Sequence, residues 1–314
     1  MDRLDIQSAT IWEWLALPDQ ELEKADLVAL NLCIARGVPS LEELDIVSHC
    51  RTVDKWARQF STDLLGMERG FHRAPVKYKN DIRFFRVGML AGFLGRRIGI
   101  RYIESQKSAT SVAYENPADL FLNGVIDTRR GTCGNMAALH VAISRRLGWP
   151  VALAAAGPHF ISRYDDGMVT HNIELSSVSD GTFASDDDGF YMKRFGLPER
   201  AVDCGSDLRK LTVREMIGVF VALRGRHFAD TGRSDRADGD FALSRVLFPQ
   251  YRRGYIGSMV PMLRRGARLF DQGETGHPES VFRDFGGTVW DQRCRRAQRA
   301  PEIVTAGHGG IGSK

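Results

Sequence analysis

Apolar residues recur at three- and four-residue steps along much of this chain, a spacing that predicts amphipathic helices. Helices are predicted over residues 1–17, 19–36, 40–65, 81–94, 116–122, 133–147, 212–223, 241–247 and 258–269. The helix over 40–65 is expected to begin at a capping box, with serine at the N-cap and glutamate three residues on. Polar stretches at 176–189 and 229–240 predict loops. The chain is therefore expected to be rich in helix.

One of these helices carries a candidate nucleophile at its start. Thr132 is the predicted N-cap, which places Cys133 in the first turn between Gly131 and Gly134. Free backbone N–H groups at that position favour a thiolate and can also hold an oxyanion. The alternative is that Cys133 is a small buried apolar residue, a common state of cysteine in a reduced protein.

A β-hairpin is predicted directly after this helix. Residues 150–156 form a short apolar run typical of a buried strand, and two further strands at 159–164 and 168–175 flank an Asp-Asp-Gly sequence. A two-residue loop at Asp166 and Gly167 would place Asp165 opposite Met168. The strands after the helix therefore predict a small antiparallel sheet.

The hairpin register brings candidate partners to one face. With a two-residue loop, His159 lies opposite Glu174, and Asn172 shares their face because side chains alternate along a strand. A three-residue loop would instead oppose His159 to Ile173. The predicted arrangement is a thiol at a helix start, a histidine base and an acceptor, Glu174 or Asn172, that orients the imidazole. The alternative for His159 is a structural, hydrogen-bonded histidine.

Three short motifs together resemble a known superfamily. Gly131-Thr132-Cys133, His159-Phe160 with Arg163, and Asn172-Ile173-Glu174 are similar to motifs of a bacterial branch of the transglutaminase-like cysteine superfamily. The similarity extends over residues 31–249. It implies an α+β fold with a papain-like core, in which the helix bearing the cysteine packs on a small antiparallel sheet between flanking helical segments.

The same resemblance implies roles for individual residues. Cys133 matches the nucleophile, His159 the base and Glu174 the acidic third member. The superfamily usually has aspartate in the third position, whereas this sequence offers Asn172 and Glu174, so the orienting residue is open. Members include proteases, amidases, deamidases, cross-linking enzymes and inactive proteins, and the motifs do not specify a substrate.

The resemblance and the patterns divide the chain into four parts. We predict an N-terminal helical segment over 1–110, the transglutaminase-like core over 111–200, a C-terminal helical segment over 201–270 and a flexible basic tail over 271–314. The tail contains an arginine cluster, Arg293-Cys294-Arg295-Arg296 with Arg299. A nucleic-acid contact there is less favoured than a solvated chain end.

Composition and charge narrow the class of protein to which this chain is expected to belong. The chain has 314 residues, 43% hydrophobic and 26% charged, with a net charge of +4, which is typical of a soluble globular protein. The five cysteines lack the spacing of a zinc site, and the acidic run at 186–188 lacks the pattern of a calcium loop. We therefore predict no metal and no cofactor. The first residues do not form a signal peptide and no run spans a membrane, so a cytoplasmic location is expected.

Two functional classes are favoured after these exclusions, and a nucleic-acid binder that uses the arginine cluster of the tail is a third, less favoured hypothesis. The first is a thiol-dependent hydrolase or acyltransferase acting on an amide or ester carbonyl of a peptide, protein or small molecule, with hydrolysis slightly favoured over transfer. The second is a catalytically inactive binding or scaffold protein that keeps the fold. Neither membrane nor nucleic acid is an expected partner, and the oligomeric state is not specified by the sequence.

Overall fold

The structure is a computed structural model that describes residues 4–107, 114–176, 183–255 and 257. Its α-helices are α1 Ile11–Leu15, α2 Asp19–Leu22, α3 Leu27–Ala35, α4 Ile46–Arg73, α5 Ile82–Phe93, α6 Glu104–Lys107, α7 Leu122–Thr128, α8 Cys133–Arg146, α9 Asp188–Phe195, α10 Glu199–Asp203, α11 Val213–Asp230 and α12 Ser234–Leu247. Its strands are β1 Arg101–Tyr102, β2 Arg130–Gly131, β3 Val151–Ala156, β4 His159–Asp165 and β5 Thr170–Ile173.

Aspartate caps mark the starts of α3 and α4, and they correct two predicted boundaries. Asp26 accepts the backbone N–H groups of Val28 and Ala29, so the helix predicted over 19–36 is divided into α2 and α3. The predicted capping box at 40–43 does not start a helix. Asp45 caps α4 instead, and α4 continues to Arg73 rather than ending at residue 65. A short carboxylate that reaches a free N–H two or three residues on is sufficient to fix such a start.

The C-terminal helices form a packed pair, and one of them lies where a loop is predicted. α11 begins at the predicted capping box of Thr212 and Glu215. The polar stretch 229–240 continues into α12, which packs against α11. Arg224 donates to both carboxylate oxygens of Asp240, at 2.8 and 2.7 Å. Because an ion pair holds part of this interface, α12 lacks the apolar periodicity that identifies a helix from sequence.

The main sheet has three antiparallel strands in the order β3-β4-β5. β3 and β4 pair from Val151 with Tyr164 to Ala156 with His159. A separate parallel pair joins β1 and β2, with Tyr102 opposite Gly131. This small pair brings Tyr102 next to the loop that leads into α8.

The predicted hairpin register is wrong by two residues. Asp165 pairs with Thr170 rather than Met168, and Arg163 pairs with Asn172. The loop therefore has four residues, because the Asp166 carboxylate accepts the backbone N–H groups of Met168 and Val169, each at 2.9 Å. A shift of two residues preserves which side chains share a face, since alternation has a period of two.

Helix α8 occupies the centre of the molecule. It packs on β3 and β4 on one side and contacts α3, α4, α5 and α7 on others. The largest apolar cluster combines residues from the N-terminal helices, the sheet region, α11 and α12. The fold is thus α+β, with the cysteine-bearing helix on a small antiparallel sheet and helical segments before and after it, as the sequence predicts.

Some predictions concern parts of the chain beyond this description. The helix predicted over 258–269, the tail over 271–314 and its arginine cluster with Cys294 lie outside the described residues. The division into four parts stays a prediction. Among the described helices, none has both the length and the apolar character needed to cross a bilayer.

A buried histidine ties α8 to its neighbours. His140 is fully buried, and its ring nitrogens contact the Ser162 hydroxyl at 2.7 Å and the Val87 carbonyl at 2.9 Å. These contacts link α8 to β4 and to α5. Burial lowers the pKa of His140 from 6.5 to about 4, because the charged form would lose its hydration.

We expect the free energy of unfolding to decrease as the pH falls from 6.5 to about 4. The unfolded chain binds a proton on His140 in this range and the folded chain does not, so acid favours unfolding by up to about 3 kcal/mol. Urea unfolding at a series of pH values measures this slope. His140→Gln should flatten the slope, and an unchanged slope in that variant would contradict the assignment to His140.

Candidate active site

The start of α8 is held by side chains from two directions. The backbone N–H of Thr132 donates to Asn135 Oδ1 at 2.8 Å, and the Thr132 hydroxyl donates to the carbonyl of Asp119 at 2.8 Å. Cys133 is the first residue of α8 and is 5% exposed. The free N–H groups of this first helical turn create a positive end next to the sulfur, which favours a thiolate.

A tight turn between β3 and β4 presents His159. Gly157 has a positive φ of 60°, and its backbone N–H donates to the buried carboxylate of Asp207 at 2.6 Å. His159 follows two residues later as the first residue of β4. The imidazole therefore projects from a rigid strand end rather than from a free loop.

Glu174 contacts the histidine, although not through the predicted pairing. His159 Nε2 lies 2.5 Å from Glu174 Oε2. The other carboxylate oxygen accepts the backbone N–H of Ser176 at 2.9 Å, and the Glu174 backbone bridges to Ala184. Both oxygens of Glu174 are thus used, one to hold its own position and one to hold the imidazole.

Cys133 is the other partner of His159. With Nε2 engaged by Glu174, the hydrogen bond between His159 and Cys133 falls to Nδ1. Burial acts to raise the pKa of Cys133. The hydrogen bond and charge of His159, with a backbone donor at Phe160, outweigh it and hold the pKa of Cys133 below its usual value. His159 therefore shifts Cys133 toward the thiolate form.

The pKa values of His159 and Glu174 also shift, each toward the charged form of its group. Burial opposes the charged imidazolium, but the partners Cys133 and Glu174 outweigh it and raise the pKa of His159 well above its usual value. Burial likewise opposes an ionised Glu174, but the bond to His159 lowers its pKa below the usual value. The pKa of each of the three groups is thus shifted toward its charged form, negative for Cys133 and Glu174 and positive for His159.

Asn172, the other predicted orienting residue, is engaged elsewhere. Its Oδ1 accepts from Arg163 Nη1 at 2.7 Å, and its Nδ2 contacts Asp188 Oδ1 at 2.8 Å. Arg163 and Asp188 also form a two-pronged ion pair at 2.7 and 3.1 Å. The acidic stretch predicted to be a solvated loop therefore contributes Asp188 to a partly buried cluster and starts α9 there.

Two aromatic residues at the site lie outside the sequence motifs and could not be identified from them. Tyr102 on β1 lies beside the thiol and the backbone N–H of Cys133, and burial followed by the Cys133 charge raises the pKa of its hydroxyl. Phe195 on α9 stacks on the His159 ring, with centroids 5.4 Å apart and planes at 23°. Only the pairing of β1 with β2 and the course of α9 reveal these neighbours.

The other described cysteines lie in different surroundings. Cys33 is buried, and its thiol contacts the Ala9 carbonyl at 3.1 Å. Burial raises the pKa of Cys33, and it raises the pKa of Cys50 to about 12. Cys133 is thus the described cysteine for which a lowered pKa is found.

Comparison with known proteins identifies the region that contains this arrangement. Residues 98–192 match the family model described as the transglutaminase-like superfamily. No curated protein and no solved structure matches the chain. The matched region includes Tyr102, Cys133, His159 and Glu174.

We expect iodoacetamide to alkylate Cys133 at a pH below the ordinary thiol range, because its thiolate is stabilised by His159. The rate should reach half its maximum below pH of about 8.5, and His159→Gln should move that point upward. Mass spectrometry of the Cys133 peptide measures the rate. The Cys50 peptide is an internal control that should remain unmodified, and identical pH profiles in the two proteins would contradict the ion pair.

Proposed function

We propose that the transglutaminase-like domain at residues 98–192 catalyses thiol-dependent acyl transfer from an amide or ester, with water as the usual acceptor. The observation that supports this most directly is the buried chain of Cys133, His159 and Glu174. In that chain the imidazole contacts the carboxylate at 2.5 Å and the thiol pKa is lowered. Structural cysteines in apolar surroundings have raised pKa values instead.

The first half of the reaction forms a thioester. The Cys133 thiolate attacks the carbonyl carbon, a C–S bond forms, and the carbonyl electron pair moves onto oxygen. When this intermediate collapses, the bond to the leaving amine or alkoxide breaks, and the Nδ1 proton of His159 passes to that leaving group. The acyl group is then bound to Cys133 and the imidazole is neutral.

The second half returns the enzyme to its starting state. Neutral His159 takes a proton from water, or from an amine acceptor, as that molecule attacks the thioester carbonyl. The C–S bond breaks, the product acid or amide leaves, and the thiolate and imidazolium are restored. Water is always present at high concentration, so hydrolysis is favoured over transfer unless an amine is bound next to Cys133.

Two donors near the sulfur could stabilise the intermediate. The backbone N–H of Cys133 lies at the positive end of α8, and the Tyr102 hydroxyl is adjacent to it. A carbonyl oxygen that gains negative charge beside these groups is stabilised by both, provided that the hydroxyl turns its hydrogen toward the oxygen. Because the pKa of Tyr102 is raised, its hydroxyl keeps this hydrogen at neutral pH.

Glu174 is the proposed orienting residue. Its contact with Nε2 fixes the imidazole with Nδ1 toward Cys133 and stabilises the positive charge. Asn172 has the role of holding Arg163 and Asp188 and is not proposed to contact the imidazole.

A second candidate is a binding protein that retains the fold without turnover. The burial of Cys133, which is only 5% exposed, favours it because a substrate carbonyl must reach the sulfur. The substrate of the first candidate, or the partner of the second, would be a peptide, a protein or a small amide or ester. The experiment below separates the two candidates.

We expect p-nitrophenyl acetate to acetylate Cys133 and release p-nitrophenolate. Intact-protein mass spectrometry detects the added acetyl group, and absorbance measures turnover. Cys133→Ala should abolish the adduct, His159→Gln should lower turnover by a factor on the order of 10³, and Glu174→Gln by roughly 10-fold or more. Cys204→Ala is the matched control and should behave like the native protein. Equal turnover in native protein and Cys133→Ala would contradict the enzymatic proposal, and absence of any adduct would favour the binding protein.

We expect Tyr102→Phe to slow acylation by p-nitrophenyl acetate by roughly 10²-fold, because one donor to the oxyanion is lost. Alkylation by iodoacetamide forms no oxyanion, so its rate should change by less than about twofold in the same variant. Tyr78→Phe, which removes a hydroxyl but keeps the ring that contacts Phe85, is the control. Equal losses in both reactions would show that Tyr102 acts on the thiolate and not on the oxyanion.

A further inference from the structure

One face of the His159 imidazole is covered by an aromatic ring. Phe195 stacks on the imidazole with ring centroids 5.4 Å apart, and Tyr191 stacks behind Phe195 at 6.4 Å. Tyr191 is 1% exposed and packs with Ile161, the residue that follows His159 on the same face of β4. Phe195 is therefore packed against a buried side chain that restrains its position.

The opposite end of α9 is tied to the same strand. Asp188, the first residue of α9, forms the two-pronged ion pair with Arg163 on β4, and Asn172 contacts both. Arg163 is buried, with 8% of its surface exposed, which makes this ion pair more than a surface contact. The helix is thus anchored to β4 at its beginning and contacts His159 at its end.

The lengths of the two elements fit this double contact. From His159 to Arg163 the strand rises about 13 Å, at about 3.3 Å for each residue. From Asp188 to Phe195 the helix rises about 10 Å, at about 1.5 Å for each residue. A helix that lies antiparallel along the strand can therefore contact Arg163 and His159 at the same time without distortion. Gly196, with φ of 58°, then ends the helix directly after Phe195.

We propose that Phe195 is a positioning residue for His159, and that the Arg163–Asp188 ion pair holds α9 so that the Phe195 ring stays on the imidazole. This inference rests on the proposed function, because it assigns to Phe195 an effect on the proposed base. The ring prevents rotation of the imidazole away from Glu174 and Cys133. Its electron-rich face also stabilises the positive imidazolium relative to the neutral ring.

Charged groups on the neighbouring elements also shift the pKa of His159, and the effect of Phe195 adds to theirs. Cys133 on α8 and Glu174 after β5 carry the negative charges that act on His159. On α9, the Arg194 guanidinium lies 5.6 Å from the centre of the Phe195 ring. Arg194 is exposed and competes for the same ring, so Phe195 is expected to supply a smaller share of the stabilisation than Cys133 or Glu174.

NMR titration of the His159 ring proton in the full-length protein tests the proposal. We expect Phe195→Leu to lower the pKa of His159 by about half a unit to one unit, because the aromatic face is lost while an apolar side chain remains. Phe195→Trp should restore the native value. Phe190→Leu is the matched control, since Phe190 lies on the same helix and contacts Tyr191 but not His159. That variant should titrate like the native protein.

A further variant tests the part of the proposal that concerns the Arg163–Asp188 ion pair. Asp188→Asn keeps the size of the side chain but removes the charge that holds Arg163, and it should lower the pKa of His159 in the same direction by a smaller shift. An unchanged pKa in Phe195→Leu would overturn the proposal. An equal fall in the pKa of His159 in Phe190→Leu would also overturn it, because it would indicate general loosening of α9. The titration needs no turnover, so its result is independent of whether Cys133→Ala abolishes acetylation, and failure of the proposed function is recognised separately.

Discussion

The buried chain of charge from Cys133 through His159 to Glu174 is the constraint on which the remaining structure depends. Each group is mostly removed from water, and burial alone would leave each of them neutral. A partner of opposite sign shifts the pKa of each group toward its charged form, and removing one partner takes this stabilisation from the next group. The arrangement consequently depends on three distant parts of the chain being held next to one another.

Contacts between side chains and backbone supply that accuracy. Asn135 fixes the start of α8, Asp207 fixes the turn before His159, and Ser176 fixes the carboxylate of Glu174. Each of these contacts joins a side-chain oxygen to a backbone N–H, so it restrains the direction of the chain as well as the side chain. The reacting groups inherit their positions from the backbone, and the helices around α8 then exclude water from them.

Sequence patterns could predict the parts of this site that depend on local periodicity. The start of α8 was predictable because capping and helical spacing involve neighbouring residues. The shared face of His159, Asn172 and Glu174 was predictable because strands alternate with a period of two. The register was not, since the Asp166 carboxylate lengthens the turn by capping Met168 and Val169.

Packing between distant segments accounts for what the sequence did not reveal. Gly88 inside α5 weakens the helical pattern, yet a side chain there would overlap the ring of Phe183, so the glycine serves a tertiary contact. Tyr102 and Phe195 likewise reach the site from β1 and α9, which have no spacing relation to Cys133 or His159. Their positions follow from the pairing of β1 with β2 and from the anchoring of α9 on Arg163.

The corrected register also accounts for how the Glu174 side chain contacts His159. The β4–β5 ladder ends at Ser162 with Ile173, and the same register extended by one residue would place Glu174 opposite Ile161 and diagonal to His159. Diagonal neighbours have Cα atoms about 7–8 Å apart, compared with about 5 Å for directly opposed residues. Glutamate has one more methylene than aspartate, and it spans this longer gap to reach Nε2 at 2.5 Å. An acid displaced from the directly opposed position therefore needs a longer side chain to contact the imidazole than the aspartate that the resemblance implies.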